Sequence, residues 1–131
     1  MSFNYMNEQY GLAHFESITG TTVRPFMEVT RPTEITEGHV TMDETVAAST
    51  AEYITIGIED GGAAGTGSTV MLTALHNQST AFTALTTRDF TVSEGTIDAA
   101  DAINVNMVET GTVTPIPTIA LAMVGGVPAG A

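Results

Sequence analysis

The run Tyr53-Ile54-Thr55-Ile56-Gly57-Ile58 alternates strictly, with three isoleucines on one phase and Tyr53, Thr55 and Gly57 on the other. A period of two sends successive side chains to opposite faces of a strand, so this segment has one face for a core and one for solvent. The same period returns at 102–109, where Ile103, Val105 and Met107 alternate with Ala102, Asn104, Asn106 and Val108. Turn-forming residues recur about every ten positions around these runs, and no segment has helical spacing, which is the pattern of a sandwich or barrel.

Composition agrees with strands. The chain has 131 residues, enough for one domain with a single core. Charged residues make up only 14%, against about a quarter in ordinary globular chains, and threonine fills the gap with 23 copies. Thr is β-branched and suits a pleated, half-solvated surface better than a helix.

Residues 21–30 read as an extended segment that Pro25 confines to a sheet edge or bulge. Glu37-Gly38 predicts a turn, followed by a weaker strand through Val40, Met42 and Val46. Residues 59–68 hold four glycines in ten and predict a loop. Residues 69–76 and 80–86 read as the arms of a hairpin closed by Asn77-Gln78-Ser79. A short strand at 90–92 precedes turns at 93–96 and 97–101, and Gly111 marks another turn after the alternating run. Pro115 and Pro117 limit the next segment to an edge or connection. The apolar run 118–124 fits a central strand covered on both faces, or one covered by a neighbouring subunit. The sum is seven to nine short strands. The expected fold is all-β, a jelly-roll or Greek-key β-sandwich over 21–131, with an immunoglobulin-like sandwich second because the Cys and Trp marks of that domain are absent.

Residues 1–20 differ from the rest. They hold Phe3, Tyr5, Tyr10 and Phe15, four of the eight aromatics, and match neither strand nor helix spacing over a useful length. They read either as a terminus packed on its own domain or as an N-terminal arm that docks on a neighbour, since exposed aromatics and Met are enriched at interfaces. In the second reading Phe3, Tyr5, Tyr10 and Phe15 are the partner-binding residues.

Charge excludes partners. Fifteen carboxylates stand against Arg24, Arg31 and Arg88, with no Lys, for a net charge of −12. Nucleic-acid binding needs a stripe of cations that release counterions on contact, and an anionic membrane surface is disfavoured for the same reason. Without Cys there is no disulfide. The first twenty residues lack the basic and apolar regions of a secretory signal, so synthesis in a cytoplasm is expected.

Chemistry is hard to assemble. His14, His39 and His76 are widely spaced and form no HxH or HExxH pattern. Ser68, in Gly65-Thr66-Gly67-Ser68-Thr69-Val70, is not in a nucleophile elbow, and the glycine stretch lacks the Lys of a phosphate loop. Asp43/Glu44, Glu59/Asp60 and Asp98/Asp101 are local carboxylate pairs without calcium-loop spacing. Asp98 and Asp101 flank a tight turn, where Asp is favoured for bonding to nearby backbone. No catalytic, metal or cofactor residue is nominated, and no enzyme is expected.

The segment 95–113, together with the apolar run after it, resembles the late-strand pattern of small phage virion proteins. There a turn of the form G-x-(apolar)-x-A-(G/A)-D leads into an alternating strand, a Gly-Thr turn and a final apolar strand. The matching residues are Gly95, Ile97, Ala99, Ala100 and Asp101, then Ile103, Val105 and Met107, then Gly111-Thr112, then the run 119–124. Ala100 stands where Gly is usual. The resemblance implies a tailed-bacteriophage capsid decoration or cement protein on the outer capsid surface of the virion. It would bind the major capsid protein as a homotrimer or other homo-oligomer, through an apolar arm and sheet edges. The alternative is a virion or surface receptor- or glycan-binding module, which predicts a pocket lined by aromatic and polar groups.

Overall fold

The computed structural model describes residues 8–15, 21–93, 95–113 and 117–126, with the side chains of 8–15, 21, 22, 24, 26 and 27 outside the description. Among the described residues ten strands form two antiparallel sheets. One sheet runs β1 (Glu8–Phe15), β10 (Ile119–Gly126), β3 (Thr33–Met42), β6 (Arg88–Asp89), with β8 (Thr96–Ile97) also on β3. The other runs β2 (Thr21–Glu28), β9 (Ala102–Thr110), β4 (Tyr53–Gly62), β5 (Thr69–His76), β7 (Thr91–Val92). The pairs β1 with β10, β2 with β9 and β3 with β8 are nested, as in one long hairpin whose rungs alternate between sheets. This is a β-sandwich, compatible with a jelly roll.

The core lies between the sheets and comes from the predicted phases. Ile54, Ile56 and Ile58 of β4 and Ile103, Val105 and Met107 of β9 are buried. Facing them across the sandwich are Val40 and Met42 of β3 and Ile119, Leu121 and Met123 of β10. Each such side chain contributes about 1.5–3 kcal/mol when taken fully from water.

Several expectations need correcting. Glu37 and Gly38 lie inside β3, and no turn forms there. Gly38 is buried under Leu72 and Phe90, and a Cβ at this position would collide with Leu72. Close approach of the two sheets, not chain reversal, is the reason for glycine here. Residues 80–86 form no hairpin arm. Of that stretch only Phe82 pairs, in an isolated bridge to Val46. Strand β5 pairs instead with β4 and with β7, and β4 itself runs on to Gly62, so the predicted loop shortens to 63–68.

The segment 1–20 is described only over Glu8–Phe15, which is the edge strand of its sheet, paired with β10. Its register shifts between Tyr10 and Leu12, at Gly11. A bulge advances the phase by one residue, and that is why the sequence there shows no clean alternation. Strand β2 sits at the edge of the other sheet with a bulge between Pro25 and Met27, as a proline without an N–H requires.

Candidate interaction surface

The outer face of β10 is the most distinctive surface. Ala120, Ala122 and Val124 alternate with the buried Ile119, Leu121 and Met123 and are only half-buried. Of the two coverings predicted for this run, the structure supplies one, from the core side. Rungs cross the sheet here: Ala122 stands opposite His39, which stands opposite Asp89, while Ala120 stands opposite Thr41, whose hydroxyl is 3.0 Å from that of Thr87. The alanines are short and the flanking pairs tall. The sheet surface therefore sinks into an open groove of about 340 Å³ lined by His39, Thr41, Thr87, Asp89, Ala120 and Ala122.

His39 and Asp89 are titratable groups of this groove. The His39 Nδ1 is 2.7 Å from Asp89 Oδ1 and its Nε2 is 3.2 Å from Glu37 Oε2. The hydrogen bond to Asp89 raises the imidazole above its ordinary value, partial burial opposes this, and Glu37 adds to the rise. A ring held between two carboxylates is fixed in orientation. It orders the groove wall.

The other predicted groups are dispersed. His76 closes β5, its Nδ1 accepting from the backbone N–H of Gln78 at 3.2 Å, and the side chain of His14 lies outside the described residues. Ser68 precedes a strand. Asp43 Oδ1 accepts from Thr118 N–H at 2.7 Å and Asp60 Oδ1 from Gly62 N–H at 2.8 Å, so both cap backbone. Asp98 and Asp101 do flank a turn, closed by Asp101 N–H to the Asp98 carbonyl at 3.2 Å. Partial desolvation raises the Asp101 carboxyl above the usual range, helped by Asp60 and Asp98 nearby. The meeting of Asp101 with Asp60 is a product of folding that no spacing signals. Among the described residues no three of His, Cys, Asp and Glu gather into a metal-binding set.

Phe3 and Tyr5 lie outside the described residues. Tyr10 and Phe15 belong to β1, where the backbone register sets Tyr10 against Met123 and Phe15 against Ile119. Sequence reasoning missed Leu85, Val23 and Val70, the large apolar side chains most exposed among those described, at 78%, 54% and 47%. Val23 and Val70 belong to one sheet, in β2 and β5. On the outer side of that sheet Val70 and Asn106 border a small depression of about 100 Å³. Asn106 donates to Glu59 at 3.2 Å, and its own Oδ1 is buried without a partner.

Among the described residues the surface thus offers faces and edges. The fold is similar to that of a phage capsid chain. The comparison is with one chain of the cyanophage Pam1 capsid asymmetric unit, at a TM-score of 0.61 over 98% of this chain and 89% of that one. Sequence identity is 13%, so the likeness is one of fold. No protein-family model and no curated protein sequence matches the chain.

Proposed function

We propose that this protein is a bacteriophage capsid decoration, or cement, protein that binds the major capsid protein on the outer shell and stabilises the head. One observation carries the reading: the described surface is organised as open sheet faces and two eight-residue edge strands, β1 and β2, with the groove lying open on one of those faces. The fold likeness to a capsid chain supports it, as does the strand order, which we read as a jelly roll.

The mechanism is adhesive. An edge strand has a row of N–H and C=O groups that a neighbouring chain can pair with, giving oriented hydrogen bonds without special side chains. Small side chains on β10 allow another surface to approach closely. Phe3, Tyr5, Tyr10 and Phe15 are assigned as aromatic anchors of the N-terminal segment, and a homotrimer or other homo-oligomer would present several such anchors at once. Each contact need contribute little, because linked contacts raise one another's effective concentration. No catalysis is assigned.

Co-sedimentation of the full chain with purified capsids lacking it tests this. Saturable binding is expected. Removal of residues 1–7 deletes Phe3 and Tyr5 while keeping β1, and should weaken binding in a domain that melts normally. Removal of 1–20 would also strip β1 from β10. Unchanged occupancy after the shorter deletion would sink the assignment of those two anchors.

A second reading, a glycan-binding module, draws on the polar rim of the groove at His39, Asp89, Thr41 and Thr87. Among the described residues no Phe or Tyr lines that groove to stack on a sugar ring. Millimolar affinity or better for a saccharide in a glycan array would favour it.

A further inference from the structure

The turn that carries Leu85 breaks two local rules at once. Leu85 has a φ of +60°, in the left-handed region, where a Cβ crowds the following carbonyl and Gly or Asn is the usual occupant. Its side chain is also 78% exposed, so little within this chain rewards a leucine there. A single exposed leucine is ordinary on a protein surface. One held in a strained backbone is not, and such strain points toward use.

The turn is firmly held. Leu85 N–H donates to the Met42 carbonyl at 2.7 Å, Ala84 N–H to Thr45 Oγ1 at 2.9 Å, and Thr86 N–H to the Thr83 carbonyl at 3.1 Å. The backbone that carries Leu85 is therefore fixed at the end of β3, and little backbone freedom is left to lose on contact. Beside it lies a depression of about 190 Å³, bordered by Met42, Asp43, Thr118 and Ala120. Ala120 and Thr41 belong also to the larger groove, so Leu85 stands at the end of that groove.

We propose that Leu85 is the anchor residue of a docking surface that takes an apolar recess rimmed by Lys or Arg on a partner protein. The proposal rests on the decoration reading, in which that partner is the coat protein. Charge selects the occupant. Asp43 and Glu44, both exposed, adjoin the turn, and Asp89 stands further along the groove. A second copy docked face to face would set these carboxylates against their own kind, on chains that each carry −12. A basic rim meets them favourably.

The test compares Leu85→Gly, Leu85→Asn and Glu44→Gln with the unaltered full chain, by thermal melting and by co-sedimentation with purified capsids lacking the protein. Both Leu85 variants should melt at or above the parent temperature, because the strain is relieved, and should bind at least tenfold more weakly. Glu44→Gln should weaken binding less and flatten its salt dependence. If the parent binds and the Leu85 variants bind equally well, the assignment fails while the decoration reading stands. If the parent itself does not bind, both fall. Lower melting of both Leu85 variants would make the residue structural, and a Leu85-dependent dimer without capsids would give the face to a second copy; either result overturns the proposal.

Discussion

Strand β10 and the segment 77–101 build parts of the same sandwich by opposite means. In β10 the ladder does the work: every residue from Ile119 to Gly126 is in register with β3 and most also with β1, and among the described residues side chains add only the bond from the Thr36 hydroxyl to the Val124 carbonyl. In 77–101 the strands are two residues long, and individual side chains take over. Asn77 is fully buried and bonds Ile54 N–H and the Ala47 carbonyl. The Arg88 guanidinium lies 4.5 Å over Phe82 and donates to the carbonyls of His76 and Thr80. Phe90 carries the chain across, from β6 in one sheet to β7 in the other. Among the described residues, both non-glycine positions with left-handed backbone, Leu85 and Ala100, fall in this segment. Periodic sequence makes a sheet; strained backbone and one-off polar clamps make a surface that differs from any other sheet's.

The contrast can be broken by substitution. Leu121→Ala empties a fully buried site in β10 and should cost about 3 kcal/mol by denaturant unfolding. Asn77→Ala leaves the buried N–H of Ile54 without its acceptor and should cost about 2 kcal/mol, although Asn77 belongs to no strand. A loss below about 0.5 kcal/mol there would mean that the clamps are ornamental and the ladders alone hold the molecule. Ala100→Gly removes a Cβ from a φ of +71° and should stabilise by about 1 kcal/mol, seen as a higher melting temperature.

The smallest effect is pH-dependent. Because Asp89 and Glu37 raise the folded-state value of His39, its charged form favours folding. That stabilisation is complete below the unfolded value of 6.5 and fades as pH rises through the higher folded value. His39→Gln should therefore lose about 0.5 kcal/mol at pH 5.5 or so, discounted for the exposure of the pair, and nothing measurable well above neutrality. A loss independent of pH would assign the effect to packing.

How much could be read from residues divides along the same line. Alternation at 53–58 and 102–109 identified the core faces of β4 and β9, and Pro25 identified an edge strand and its bulge. The apolar run 118–124 pointed to a central strand. Gly38 misled because a glycine beside Glu looks like a turn, whereas its need for space arises from Leu72 on the opposite sheet. Residues 80–86 misled because they read as the second arm of a hairpin, yet only Phe82 makes a bridge and the backbone turns left-handed at Leu85, a conformation that leucine does not signal. Ala100 was legible in part, since it stands where the resembling pattern has Gly, and its φ shows why Gly is favoured there. The groove was invisible in sequence because its walls come from β3, β6 and β10, far apart along the chain.

The proposed adhesive role of these faces and edges has a direct physical readout. Differential scanning calorimetry of purified capsids lacking the protein, before and after saturation with it, tests this most directly. The account predicts that the shell transition moves to higher temperature and saturates at a fixed ratio of this chain to coat protein. A shell transition that stays in place while the protein melts at its own temperature would contradict it.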